Sequence, residues 1–84
     1  MIQESDVQNL QSELENLKSQ QVAGTLTEQH VWNVMRQASS LLDQAEDSPL
    51  KGCVEVIFTL LSSIWTTTRN KIRLQEMQQS LLNG

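Results

Sequence analysis

The stretch from Lys51 to Lys71, KGCVEVIFTLLSSIWTTTRNK, decides the fold of this 84-residue chain. Nine of the thirteen residues from Cys53 to Trp65 are apolar, and Glu55 is the only charged residue between Lys51 and Arg69. Projected as a helix, the apolar side chains span an arc of about 200°, opposite a thin Ser/Thr/Glu face. This pattern predicts the central helix of an all-α protein, buried on more than half of its circumference, with Cys53 as a buried free thiol.

Two environments compete for this helix. Residues 52–68 are just long enough to cross a bilayer, so a small membrane-associated or membrane-spanning protein is one interpretation. Glu55 in the first turn and the coherent Ser/Thr face favour burial in a helical core instead. The membrane is therefore a possible partner, but not the favoured one.

The N-terminal part predicts a helix over about residues 6–23, with Ser5 as N-cap and Gly24 as the left-handed residue that ends it. Its apolar residues follow the 3-4-3 spacing of a coiled coil: Val7, Leu10, Leu14 and Leu17. This leucine set predicts self-association or partner binding. The alternative is an ordinary amphipathic helix that packs on its own bundle.

A second helix is predicted over about residues 27–46, capped by either Thr25 or Thr27. Trp32 lies at the margin of its apolar face, either as half-buried packing or as an anchor for a partner. The helix ends near a small acidic cluster of Asp43, Glu46 and Asp47, followed by Ser48 and Pro49, which predict the start of a third helix.

The third helix is predicted over about residues 49–82, with a possible break near residues 69–73 that would create a fourth helix. Beyond Thr68, the residues Leu74, Met77 and Leu81 form a new apolar stripe, rotated away from the earlier face. Either the helix continues and presents this stripe to another neighbour, or it breaks and folds back. No Pro or Gly marks a break.

The charges are distributed unevenly along the chain. Residues 1–24 carry four acidic residues and Lys18, a net of −3, whereas Arg69, Lys71 and Arg73 place three positive charges within five residues. An acidic N-terminal helix and a basic C-terminal segment are expected to pair, within one chain or between two chains. The overall charge of −4 disfavours sequence-independent binding of nucleic acid, so a nucleic-acid-contacting regulator that uses the basic trio is a minor alternative.

No catalytic, cofactor-binding or metal-binding residues are predicted. His30 and Cys53 are each the only residue of their kind, and no glycine-rich phosphate loop is present. We therefore expect a protein that is not an enzyme and needs no cofactor. The first residues, MIQESDVQNL, show no apolar signal segment, so a cytoplasmic location is expected.

The C-terminal segment NKIRLQEMQQSLL, residues 70–82, follows an apolar helix. In these thirteen residues the chain resembles enterocin-type bacteriocin immunity proteins. The resemblance implies a small antiparallel four-helix bundle of the immunity type.

Together these patterns predict one helical domain over residues 1–84, with three helices, or four if the third breaks, completed by dimerisation or higher association. The predicted function is stoichiometric binding of a protein partner, as a chaperone, adaptor, inhibitor or assembly subunit. The residues predicted to carry self-association or partner binding are Val7, Leu10, Leu14, Leu17, Trp32, Phe58, Trp65, Leu74, Met77 and Leu81. Arg69, Lys71 and Arg73 are predicted to make charged contacts.

Overall fold

Three helices account for nearly all of the chain that the computed structural model describes, which is residues 2–45 and 48–83. They are α1 (Glu4–Ala23), α2 (Glu28–Gln44) and α3 (Pro49–Asn83), and no strand occurs within these ranges. The predicted all-α class is confirmed. Each helix contacts the other two, with the most extensive packing between α2 and α3.

The beginning of α1 differs from the prediction. The helix begins at Glu4 rather than near Asp6, and its N-cap is Gln3, not Ser5. The Asp6 carboxylate accepts a hydrogen bond from the Gln3 backbone N–H at 2.9 Å. This is the capping-box contact in which the third residue of the helix binds the N-cap backbone, and it forms two residues earlier in the chain than expected. At the other end Gly24 adopts φ = 77°, the predicted left-handed cap.

The beginning of α2 resolves the choice between two threonines. Thr27 is the N-cap, and its hydroxyl accepts a hydrogen bond from the His30 backbone N–H at 3.2 Å. The helix ends at Gln44 instead of residue 46. Glu46 and Asp47 of the predicted acidic cluster lie outside the described residues.

The third helix runs without a break from Pro49 to Asn83, so the predicted alternative of four helices is not what the chain adopts. Residues 69–73 lack Pro and Gly and contain ordinary helix formers, so the backbone has no local reason to stop. Thirty-five residues at about 1.5 Å per residue give about 52 Å, which matches the longest dimension of the molecule, 53 Å.

The core lies between the three helices along the first two thirds of α3. Its members on α3 lie within an arc of only about 80°. They are Val54, Ile57, Leu61 and Ile64, followed by the buried Thr68. Val31, Val34 and Ala38 contribute from α2, and Ile2, Val7, Leu10, Leu14 and Leu17 from the N-terminal segment.

The single chain therefore covers only part of the arc of about 200° over which burial of α3, completed by a second copy, is predicted. Two short helices cover one side of α3, and the apolar residues flanking that side stay in solvent. Cys53, predicted to be buried, is exposed for this reason. Val56 is 61 % exposed and Leu60 is 42 % exposed, although both belong to the most apolar stretch of the sequence.

Leu17 is fully buried in the core, whereas its neighbour Asn16 is exposed on the same helix. We expect Leu17→Ala to lower the free energy of unfolding by about 2–4 kcal/mol, because it removes buried surface and leaves a cavity. Asn16→Ala is the control and should cause no loss, because Ala favours the helix and the position is exposed. Urea denaturation followed by far-UV circular dichroism measures both. Equal midpoints for the two variants would contradict this core.

Gly24 and Gly52 allow the effect of backbone conformation on stability to be measured apart from side-chain packing. A Cβ at Gly24 or at Gly52 would meet no atom within 4 Å, but only Gly24 has a positive φ. Gly24→Ala should lower the free energy of unfolding by about 1 kcal/mol because of the left-handed backbone. Gly52→Ala, within α3, should raise it by about 0.5–1 kcal/mol. Thermal unfolding of both variants tests the opposite signs, and a stabilising Gly24→Ala would rule out the left-handed cap.

Candidate protein-interaction surface

An uncovered stripe runs along most of α3. Its positions repeat at alternating spacings of three and four residues, which is the a/d pattern of a coiled coil. All of them are exposed. We call this set the α3 stripe: Cys53, Val56, Leu60, Ser63, Thr67, Asn70, Leu74, Met77 and Leu81. It is about 42 Å long at 1.5 Å per residue.

The N-terminal part of the stripe forms one wall of a groove. The opposite wall belongs to α1, which runs alongside the same part of α3. We call this the α1–α3 groove. It is lined on α3 by Pro49, Gly52, Cys53, Val56, Ile57 and Leu60, and on α1 by Val7, Gln11, Leu14, Glu15 and Lys18. Its floor is apolar, and its α1 rim carries the ion pair between Glu15 and Lys18, 3.4 Å apart.

The C-terminal part of the stripe lies on a projecting end of α3. Residues Thr67, Thr68 and Lys71 line a small pocket with Gly24 and Leu26 from the turn between α1 and α2, so the other helices end at this level. Residues 73–83, which we call the tail, are exposed throughout. Leu74, Met77 and Leu81 are 56 %, 64 % and 82 % exposed.

The middle of the stripe is polar but small. Ser63, Thr67 and Asn70 separate the two apolar parts. The Thr67 hydroxyl donates to the backbone carbonyl of Ser63 at 3.0 Å, so its hydrogen-bonding need is met within the helix. A neighbouring helix can approach closely here without leaving that hydroxyl unsatisfied.

A second feature, the tryptophan cluster of Trp32, Trp65, Arg69 and Glu28, lies on the opposite side of α3, about 180° from Leu74. The two indole rings are 5.5 Å apart between centroids and tilted by 40°. The Arg69 guanidinium lies 5.7 Å from the centroid of Trp65, and its Nε is 3.5 Å from a carboxylate oxygen of Glu28. These contacts join the beginning of α2 to α3.

The predicted site residues therefore separate into three groups. Val7, Leu10, Leu14 and Leu17 are buried in the chain's own core, because their faces pack on α2 and α3. This placement corresponds to the amphipathic-helix alternative: the four side chains pack in the chain's own core, and only Val7 and Leu14 also line the α1–α3 groove.

The aromatic residues form the second group. Phe58 and Trp65 are partly buried against the core, and Trp32 is 45 % exposed beside Trp65. Trp32 therefore packs on another side chain of the same chain, which corresponds to the half-buried alternative given for it above.

The third group lies at the C-terminal end. Leu74, Met77 and Leu81 are exposed, as an interaction surface requires. Arg69 belongs to the tryptophan cluster, whereas Lys71 and Arg73 lie in solvent. The acidic α1 and the tail do not pair within one chain, because α1 ends beside residues 67–71.

Sequence reasoning missed Cys53, Val56 and Leu60 as surface residues, and it missed that they continue the tail stripe. The signal was present in the alternating three- and four-residue spacing from Cys53 to Leu81. It was hidden because Ser63, Thr67 and Asn70 occupy the central positions, and because the apolar residues of the central helix other than Phe58 and Trp65 were assigned to the core.

By length and composition alone, α3 is apolar enough to cross a membrane. The central helix of a bundle in water meets the same criterion. Within the described residues, no group of three or more His, Cys, Asp or Glu side chains is placed to hold a metal ion.

Comparison of the chain with protein-family models, with curated protein sequences and with solved structures finds no match.

The tryptophan cluster predicts a difference between two arginines one helical turn apart. Arg69→Ala should lower the free energy of unfolding by about 0.5–1 kcal/mol, because it removes a partly exposed cation–π contact and ion pair. Arg73→Ala should change it by less than about 0.5 kcal/mol, because Arg73 is exposed on the tail. Thermal unfolding followed by tryptophan fluorescence compares the two, and a larger effect of Arg73→Ala would contradict the assigned contacts.

Proposed function

We propose that this protein is a non-enzymatic interaction module that acts by stoichiometric binding through the α3 stripe. Its first partner is a second copy of the chain. A module of this kind serves as a chaperone, adaptor, inhibitor or assembly subunit. The observation that carries the proposal is the row of exposed apolar side chains at coiled-coil spacing, present on both the body and the tail of α3.

The exposure of this row is costly in water. Monomeric soluble proteins rarely leave large apolar patches uncovered, and such patches commonly mark interaction sites. The stripe has two apolar parts, one on either side of its small polar middle. Here the exposed side chains include Val56 and Leu60 on the body and Leu74, Met77 and Leu81 on the tail. A single exposed leucine would need no explanation, but five apolar residues in one register support a binding surface.

The spacing favours a helix as the occupant. Side chains at alternating three- and four-residue intervals form a narrow stripe that winds slowly around a helix, and they fit between those of a second helix that coils around the first. The α1–α3 groove adds a second wall at the body end, so an incoming helix there would contact two helices. Helix-in-groove recognition of this kind uses apolar anchors along one face of the bound helix.

The membrane alternative uses the same helix differently. Insertion of residues 52–68 would require α3 to leave α1 and α2, and Val54, Leu61 and their core neighbours would lose their contacts. Binding through the stripe leaves the core intact, and this favours the protein partner. The nucleic-acid alternative draws less support, because Arg69 is engaged with Glu28 and Trp65 and the chain is acidic overall.

Sedimentation velocity over a wide concentration range tests the proposal. The wild-type chain should sediment as a dimer or larger oligomer without detergent. Leu74→Glu should weaken the association, because Leu74 is 56 % exposed in the single chain and covering that area contributes about 1–1.5 kcal/mol. The loss occurs in each copy, so the dissociation constant should rise at least about thirtyfold.

Gln79→Glu is the matched control, because it adds the same charge to the tail about 140° around the helix from Leu74. It should leave the dissociation constant nearly unchanged, and both variants should keep the far-UV circular dichroism of the wild type. A wild-type monomer at all concentrations would refute self-association. Solubility only in detergent would favour the membrane alternative instead.

A further inference from the structure

We infer that two copies associate in antiparallel orientation, with the tail of each copy lying in the α1–α3 groove of the other. This inference rests on the proposed function and specifies the geometry of its site. The occupant of the groove is thus a defined segment of a second copy, residues 73–83. Three observations support this orientation over a parallel one.

The first observation is the match in length. The groove extends along α3 from Pro49 to Leu60, twelve residues or about 18 Å. The tail has eleven residues, or about 16 Å. In an antiparallel pair of α3 helices centred near residue 66, the tail of one copy lies beside the groove of the other, and the small residues Ser63 and Thr67 meet near the middle.

The second observation concerns what each orientation leaves uncovered. In a parallel pair, the tails would project beyond both bodies and contact only each other over about three helical turns. In the antiparallel pair, Leu74, Met77 and Leu81 lie on a groove that already has two helical walls, so the same side chains lose more contact with water.

The third observation is charge. The helix α1 carries Glu4, Asp6, Glu13 and Glu15 against Lys18, a net of −3. Residues 70–83 carry Lys71 and Arg73 against Glu76, a net of +1, whereas Arg69 is already paired with Glu28 of its own chain. A parallel pair would place the two basic segments side by side. The antiparallel pair moves each basic segment towards the acidic α1 of the other copy, which favours this orientation over the parallel one.

The native cysteine provides a test. Cys53 is exposed and belongs to the α3 stripe. In a parallel pair the two Cys53 side chains would face each other, and oxidation of the wild-type protein would link them. In the antiparallel pair they are about 35–45 Å apart along the helix axis, far beyond the reach of a disulfide.

Leu81→Cys adds the informative position. In the antiparallel pair, position 81 of one copy lies within about 6 Å, along the axis, of Cys53 in the other. A short bis-maleimide should therefore join Cys53 to position 81 between chains. Within one chain, these positions are about 42 Å apart on the same helix, so every such link is intermolecular. Leu81 is 82 % exposed, and its replacement should leave the fold intact.

Gln79→Cys is the control, because position 79 lies on the opposite side of the tail and should give no link to Cys53. Peptide mapping of the cross-linked dimer identifies the orientation. Links from Cys53 to position 81 support the inference. Links from Cys53 to Cys53 and from 81 to 81 would overturn it while leaving the proposed self-association in place.

A dimer without either link would also overturn the inference, because association would then use another face. Sedimentation of the wild-type chain beside the same samples separates these outcomes from a failure of the proposed function, which would appear as a wild-type monomer. Loss of the link to position 81 in Leu74→Glu/Leu81→Cys, with the far-UV circular dichroism retained, would show that the link depends on the stripe.

Discussion

The difference in length between the helices governs the rest of this structure. The helix α3 has 35 residues, whereas α1 has 20 and α2 has 17. Two short helices cover one side of α3 along about two thirds of its length, and burial ends near Thr68. The uncovered remainder comprises a groove beside α1, a small polar middle and a free tail. These three parts belong to one helix face, so they share a register and can act as one surface.

The core and the stripe assign different roles to neighbouring residues of similar chemistry. Val54 and Ile57 are buried, whereas Val56 is largely exposed one position away. Hydrophobicity alone does not distinguish them, because burial depends on where α1 and α2 sit around α3. The apolar residues of this helix thus have two roles. Those within an arc of about 80° are buried and stabilise the single chain, and those on the adjacent arc are exposed and remain for association.

This division also explains how much of the structure could be predicted from the sequence. Helix periodicity, the Gly24 cap, Thr27 and Pro49 were sufficient to locate the three helices within a few residues, because these signals are local. The continuity of α3 could not be settled, since the rotation of the apolar face at Leu74 is compatible with either a break or a new neighbour. The burial of Leu10 and Leu17 and the exposure of Cys53 depend on packing between distant segments, which periodicity does not encode. The three- and four-residue spacing of the stripe can be read from the sequence. That its side chains are exposed could be recognised only once the positions of the core residues were known.

The tryptophan pair gives this small protein a built-in optical reporter. Trp32 and Trp65 are the only tryptophans in the chain, and their rings are close enough for their electronic transitions to couple. One ring lies on α2 and the other on α3, so the coupled signal depends on the packing of these helices. The pair faces away from the α3 stripe, so separation of two copies would leave that signal unchanged, while melting of a single chain would abolish it. Folding and assembly can thus be followed as separate events in the same unlabelled sample.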